Sequence, residues 1–91
     1  MESMYEKVYG NDKYVIKEWF DENKKLHRDD GPAEIWFHEN KKHKEVWYQH
    51  GEEQRTDGPS MIEYYENETI KFKQFCYKEK VLVIDDSLTI S

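Results

Sequence analysis

Aromatic residues in this chain come in adjacent pairs at regular intervals. Trp19-Phe20, Trp36-Phe37, Trp47-Tyr48 and Tyr64-Tyr65 are separated by 17, 11 and 17 positions, and a polar segment follows each pair: Asp21-Glu22-Asn23, His38-Glu39-Asn40, Gln49-His50-Gly51 and Glu66-Asn67-Glu68. Asn and Gly tolerate positive φ, and Asp and Asn bond their own backbone, so the polar segments read as turns. A step of 11 back from Trp19 reaches Val8, with Tyr9 and the hairpin turn Gly10-Asn11-Asp12-Lys13 after it; a step of 11 forward from Tyr64 reaches Phe75, then Cys76-Tyr77 and Lys78-Glu79-Lys80. The predicted strands are 5–9, 13–20, 33–37, 42–48, 60–65, 69–77 and 81–84. A 3.6-residue apolar period is missing, and Gly31-Pro32 and Gly58-Pro59 each stand just before an apolar segment, where proline loses no ladder bond. The expected fold is therefore all-β, an antiparallel meander of hairpins, with tight turns in the 11-residue steps and longer loops in the 17-residue steps.

Successive strand residues point to opposite faces, so each aromatic pair sends one ring to either side of the sheet. A half-buried antiparallel sheet ordinarily keeps one face polar. Here both faces are aromatic, and a chain of 91 residues has no helix or second sheet in prospect to cover both. Either the sheet curls on itself or another molecule covers the second face. Val81-Leu82-Val83-Ile84 is the most apolar run of the chain, with Asp85-Asp86 after it. As a last strand it would be an apolar edge, and it is expected to swap into, or pair with, a second subunit.

The rhythm belongs to a longer repeat. Trp19 to Phe37 is answered by Trp47 to Tyr65, with Trp19 and Trp47 28 positions apart and the two Gly-Pro pairs 27 apart, so the first copy carries one extra loop residue. A repeat of this kind is one supersecondary unit that cannot bury its apolar face alone and stacks on its neighbour. The chain reads as a single domain of about two and a half units, with the repeats over residues 8–77 and a distinct C-terminal strand and tail over 78–91.

Charged residues make up 37% of the chain and the hydrophobic set 36%, yet aromatics reach 15%, which fits a folded domain whose scarce apolar area sits in large rings. A net charge of −6 argues against a general affinity for nucleic acid or anionic membrane. Cys76 stands alone, so no intrachain disulfide forms and a reducing compartment is expected. With no apolar leader at the N-terminus and no run near the roughly 20 apolar residues of a membrane span, the expectation is a cytoplasmic protein.

His27-Arg28-Asp29-Asp30-Gly31-Pro32-Ala33, with Gln54-Arg55-Thr56-Asp57-Gly58-Pro59-Ser60 as its weaker copy, resembles the Asp-Gly-Pro-Ala variant of the membrane occupation and recognition nexus (MORN) repeat, found in giant DNA viruses and in some phage and bacterial proteins. The resemblance covers Val8 to Tyr77. It implies a single-layer, elongated sheet of hairpins, usually non-enzymatic and used for protein or sometimes lipid association, and a viral setting in host cytoplasm or virion. Only four Gly remain, whereas the eukaryotic form is Gly-rich, which weakens the lipid implication.

The residues that recur at matching places are Arg28, Asp30, Gly31, Pro32 and Arg55, Asp57, Gly58, Pro59. The two arginines could form a repeated anion site. The structural reading, which is favoured, has each Asp accepting backbone bonds in its turn and each Arg pairing with an acid of the adjacent unit. His27, His38, His43 and His50 lack a recognised ligand spacing and read as solvated loop histidines, so no metal and no cofactor are expected. Lys24-Lys25 and Lys41-Lys42-His43-Lys44 lie near aromatics, as in single-strand binders, but Glu52-Glu53 stands at the matching place in the next unit and breaks the stripe. No nucleophile elbow, phosphate loop or Cys-His pair appears, and Cys76 reads as a packed residue rather than a reactive thiol. The expected function is a non-enzymatic association module that forms a homo-oligomer through Trp19, Trp36, Trp47, Tyr64 and Phe75 with Val81, Leu82, Val83 and Ile84. The alternatives are a small viral effector that captures a host protein and, less favoured, a nucleic-acid binder using the lysine-rich turns.

Overall fold

Nine strands follow the chain in the computed structural model, which describes residues 5–77 and, for the backbone, residues 80–84. They are β1 (Tyr5–Gly10), β2 (Tyr14–Phe20), β3 (Glu34–His38), β4 (Lys41–Val46), β5 (Tyr48–Gln49), β6 (Glu52–Glu53), β7 (Met61–Tyr64), β8 (Ile70–Tyr77) and β9 (Lys80–Ile84). Seven form one sheet in the order β1-β2-β3-β4-β7-β8-β9, every neighbouring pair antiparallel, and β5 with β6 makes a separate small hairpin. The all-β meander expected from the sequence is thus found, and no helix occurs among the described residues. The one feature that the aromatic spacing did not resolve is the β5–β6 hairpin, which takes Tyr48 out of the strand expected at 42–48.

Turn chemistry explains the short connections. Asn11 Oδ1 accepts the backbone N–H groups of Lys13 and Tyr14, closing the β1–β2 hairpin. Glu39 and Asn40 between β3 and β4, and His50 and Gly51 between β5 and β6, all have positive φ, as a two-residue primed turn requires at both central positions.

The molecule measures 45 × 36 × 16 Å, the shape of a single-layer slab, and among the described residues there is no conventional core between layers. Residues directly opposite in register share a face. Tyr5 opposite Phe20, Tyr9 opposite Ile16, Tyr14 opposite His38 and Ile16 opposite Trp36 lie on one face; Val8 opposite Lys17, Lys17 opposite Ile35, and Val15 opposite Phe37 lie on the other. The buried apolar residues are small or medium-sized and scattered: Ala33, Val46, Ile62 and Cys76.

Ala33 and Ser60, which follow the two Gly-Pro pairs, are fully buried. Each joins three strands at once. Ala33 donates to the Val46 carbonyl while its own carbonyl accepts from Trp19, and Ser60 donates to Gln74 while accepting from Trp47. A longer side chain at either place would have to be accommodated inside the protein. The last strand, residues 80–84, pairs with β8 of its own chain, Val81 opposite Cys76 and Ile84 opposite Lys73, instead of needing a second subunit for that bond ladder. The side chains of Val81, Leu82, Val83 and Ile84, and the tail from 85 onward, lie outside the described residues.

Replacing Ala33 with Leu is expected to lower stability by about 1–3 kcal/mol through overpacking. A urea melt measures the loss, and a surface control such as Glu22→Gln should leave the midpoint in place.

Candidate functional site

Both long loops are built on the same three-part contact. The Arg28 guanidinium carbon lies 3.9 Å from the centre of the Trp19 ring, and that of Arg55 lies 4.0 Å from Trp47. Cation-to-ring attraction of this kind is worth about 0.5–2 kcal/mol, more where water is excluded. Each guanidinium is then fixed from its own loop: Nε of Arg28 donates to Asp30 and Nη1 to the Pro32 carbonyl, while Arg55 repeats both bonds with Asp57 and Pro59. Gly31 and Gly58 complete the arrangement by closeness. A Cβ added at Gly31 would stand 3.2 Å from the Arg28 guanidinium carbon, and one at Gly58 would stand 2.9 Å from that of Arg55.

This geometry corrects the expectation that each Arg reaches an acid of the adjacent unit. The acid belongs to the same loop, and the bond that recurs from unit to unit is made by backbone. Arg28 N–H donates to the Tyr48 carbonyl, and Arg55 N–H donates in the same way to Cys76, 28 positions beyond Tyr48. Within each unit the bond from His27 to the Trp19 carbonyl is matched by that from Gln54 to Trp47. The third unit therefore begins at Phe75.

The β5–β6 hairpin docks against the first loop through side chains that the sequence pattern did not single out together. Asp21 closes its own loop, with Oδ1 accepting from Asn23 and Lys25, and its Oδ2 lies 2.6 Å from His50 Nδ1. The His50 backbone N–H donates to His27 Nδ1 at 3.0 Å, and the two imidazoles stack with centres 4.0 Å apart. An accepting Nδ1 places the proton of neutral His27 on Nε2, which lies 3.1 Å from Asp29 Oδ1. Gln49 adds a bond to the Arg28 carbonyl, and Gly51 one to Leu26. His27 is only 2% exposed, so it is not the solvated loop histidine that the sequence suggested. The bond to His50, followed by those from the loop backbone, holds the Asp21 carboxyl down at about 2. Asp21, His27 and His50 each present one ligand atom, all within 4.8 Å of one another.

Between the two loops runs an open groove of about 880 Å³, lined on one side by Arg28 to Gly31, on the other by Gln54 to Asp57, with Trp47 and His50 in its wall. Its two arginines already hold Asp30 and Asp57, and Asp29 adds a further acid, so the groove has no excess positive charge for an anion. No family model, curated protein or solved structure matches the chain. The site is accordingly read from its own chemistry.

The five rings expected at an interface do not share one surface. Trp19, Tyr64 and Phe75 follow one face by register, with Trp47 in the place of Trp19 in the second copy, while Trp36 lies on the other face. Trp19 and Trp47 are occupied by their arginines. Tyr64 donates to Glu45, whose other oxygen meets Lys42 at 3.1 Å. The two lysine clusters stand at opposite ends of the strands, Lys24-Lys25 in the long-loop end and Lys41 to Lys44 at the hairpin end, and so do not form one stripe. Burial pushes the Cys76 thiol up, away from nucleophilic use.

On the face with the exposed tyrosines, Glu18 and Glu34 are directly opposed across β2 and β3. Tyr9 donates to Glu18, and burial, then hydrogen bonding to Glu18, pushes the Glu34 carboxyl from 4.5 up to about 7. The folded chain thus holds a proton there that the unfolded chain releases. This contribution is fully present below about pH 4.5 and is lost as pH rises through about 7. Glu34→Gln keeps a donor facing Glu18, so its melting temperature relative to the native chain is expected to rise across that window. Equal pH profiles for the two proteins would contradict the shared proton. At the loops, Arg55→Lys is expected to cost about 1–3 kcal/mol, since an ammonium cannot stack flat and bond in two directions at once. Chemical denaturation measures it, and Gly58→Ala should reproduce part of the loss by displacing the guanidinium.

Proposed function

We propose that this chain is a non-enzymatic protein-association module that joins a second copy of itself through one open sheet face. The observation that carries the reading is the state of that face. Tyr5, Tyr9 and Tyr14 are 46%, 42% and 53% exposed on a slab 16 Å thick, and no second layer among the described residues covers them. Stacks between Tyr5 and Phe20 and between Tyr14 and His38 hold some of these rings in place before any partner arrives. Rigid aromatic groups with a polar end give contact area at small entropic cost.

A second copy fits this surface better than an oppositely charged partner does. Lys7 and Lys44 stand on the same face as Glu18 and Glu34, so the face carries both signs, and a two-fold axis can bring each against its opposite. The resemblance to MORN-type repeats points the same way, toward association instead of chemistry. Relative to the wider list of aromatic residues, the reading moves the contact toward Tyr5, Tyr9, Tyr14 and Trp36 and away from the arginine-capped Trp19 and Trp47.

Light scattering behind size-exclusion chromatography tests this on the full chain. The native protein is expected to elute as a closed oligomer, and Tyr5→Glu with Tyr14→Glu to convert it to a monomer with an unchanged circular dichroism spectrum. A native chain that is monomeric at every concentration would end the self-association reading.

A further inference from the structure

We propose that Asp21, His27 and His50 form a binding site for a divalent transition metal of the zinc class, placed where the β5–β6 hairpin meets the first long loop. Three features of the arrangement converge on this. The ligand atoms of the three residues lie within 4.8 Å of one another and include two imidazoles and a carboxylate, a donor set suited to zinc or cobalt and ill suited to calcium or magnesium. Two of the three residues are fixed from behind. Asp21 Oδ1 is held by the backbone N–H groups of Asn23 and Lys25, which leaves Oδ2 directed at His50. His27 Nε2 lies 3.1 Å from Asp29 Oδ1, which puts a carboxylate beside the ring nitrogen that faces away from the site, where oriented metal-binding histidines commonly have one.

In the metal-free arrangement the His50 backbone N–H meets His27 Nδ1, and His50 Nδ1 meets Asp21 Oδ2. These are the same two acceptor atoms that a cation would take. Metal binding needs the His50 ring proton on Nε2, so that Nδ1 offers its lone pair, and needs the His50 backbone N–H to move off His27 Nδ1. The His50 side chain is 56% exposed and sits in a two-residue turn, so it is the member of the set with room to adjust. Asp21 and His27 are buried and remain where they are. His50 also lines the groove, so an ion and the water that would complete its coordination would reach the site past this residue. A bound ion would lock the second unit onto the first with stronger bonds than the hydrogen bonds now there.

Titration of the full chain with zinc by calorimetry, and with cobalt by visible absorption, tests the site. The expected result is saturable binding of one ion per chain, a tetrahedral cobalt spectrum, and a raised melting temperature. His50→Gln, at the exposed position, is expected to weaken binding at least about tenfold without loss of fold, and Asp29→Asn to weaken it about tenfold through His27. Asp21→Asn, which keeps an oxygen for the loop N–H groups but removes the charge, is expected to weaken binding, and His43→Gln, on the opposite end of the strands, should change nothing. Absence of saturable binding overturns the proposal, as does binding that survives His50→Gln undiminished, since the metal would then be held by other surface histidines and acids.

Discussion

A guanidinium seated over an indole is the contact from which the rest of this structure follows. Among the described residues no second layer holds the long connections, and the two 17-residue steps would otherwise be loose excursions from the strand ends. Arg28 and Arg55 resolve this by reaching back to Trp19 and Trp47, the residues at which the loops depart. The cation sits over the ring while its N–H groups bond an aspartate and a proline carbonyl. Loop entry and loop exit are thereby joined through one side chain. Glycine before proline is then a steric consequence, because any Cβ there would press on the guanidinium.

The same contact makes the units stack. With Arg28 held, its backbone N–H is presented to Tyr48 of the next unit, and Arg55 presents its own to Cys76 of the unit after that. Stability in such an array comes from each unit and from its border with the next. The borders are not identical in chemistry. At the first, Asp21, His27 and His50 link loop to hairpin. Within the second unit, Ser60 and Gln74 both donate to Glu53, where the first unit has apolar Leu26 and Ala33 at the places of Glu53 and Ser60. The backbone frame is repeated while the side chains filling it vary together.

Strand order, strand ends and tight turns were legible in the sequence because each rests on local chemistry: paired rings at fixed spacing, and Asn or Gly where φ must be positive. The repeat signature marked the loops as structural for the same reason. What the sequence concealed depends on chain segments meeting across a distance. Arg28 and Asp30 are only two positions apart, but that Arg28 stays with this acid and does not reach one of a neighbouring unit goes with its seat over Trp19, nine positions back. Tyr48 looked like the end of a strand because alternation continues through it, yet the positive φ of His50 and Gly51 folds Tyr48-Gln49 back on Glu52-Glu53. His27 and His50 are 23 positions apart with no ligand-like spacing, and only the docking of that hairpin brings them together.

A fold made this way separates its two kinds of aromatic residue by task. Rings at the loop ends, Trp19 and Trp47, are covered from within the chain and hold the units in shape. Rings along the opposite face of the first hairpins, Tyr5, Tyr9 and Tyr14, stay exposed even with Phe20, Lys7 and His38 beside them. Adding a second layer would have buried them, but a repeat that propagates sideways offers each new strand to the edge of the sheet and never to its face. Growth of the array therefore cannot relieve the exposure. Only contact in the perpendicular direction could, whatever the number of repeats, and it is on this geometry that the proposed self-association rests.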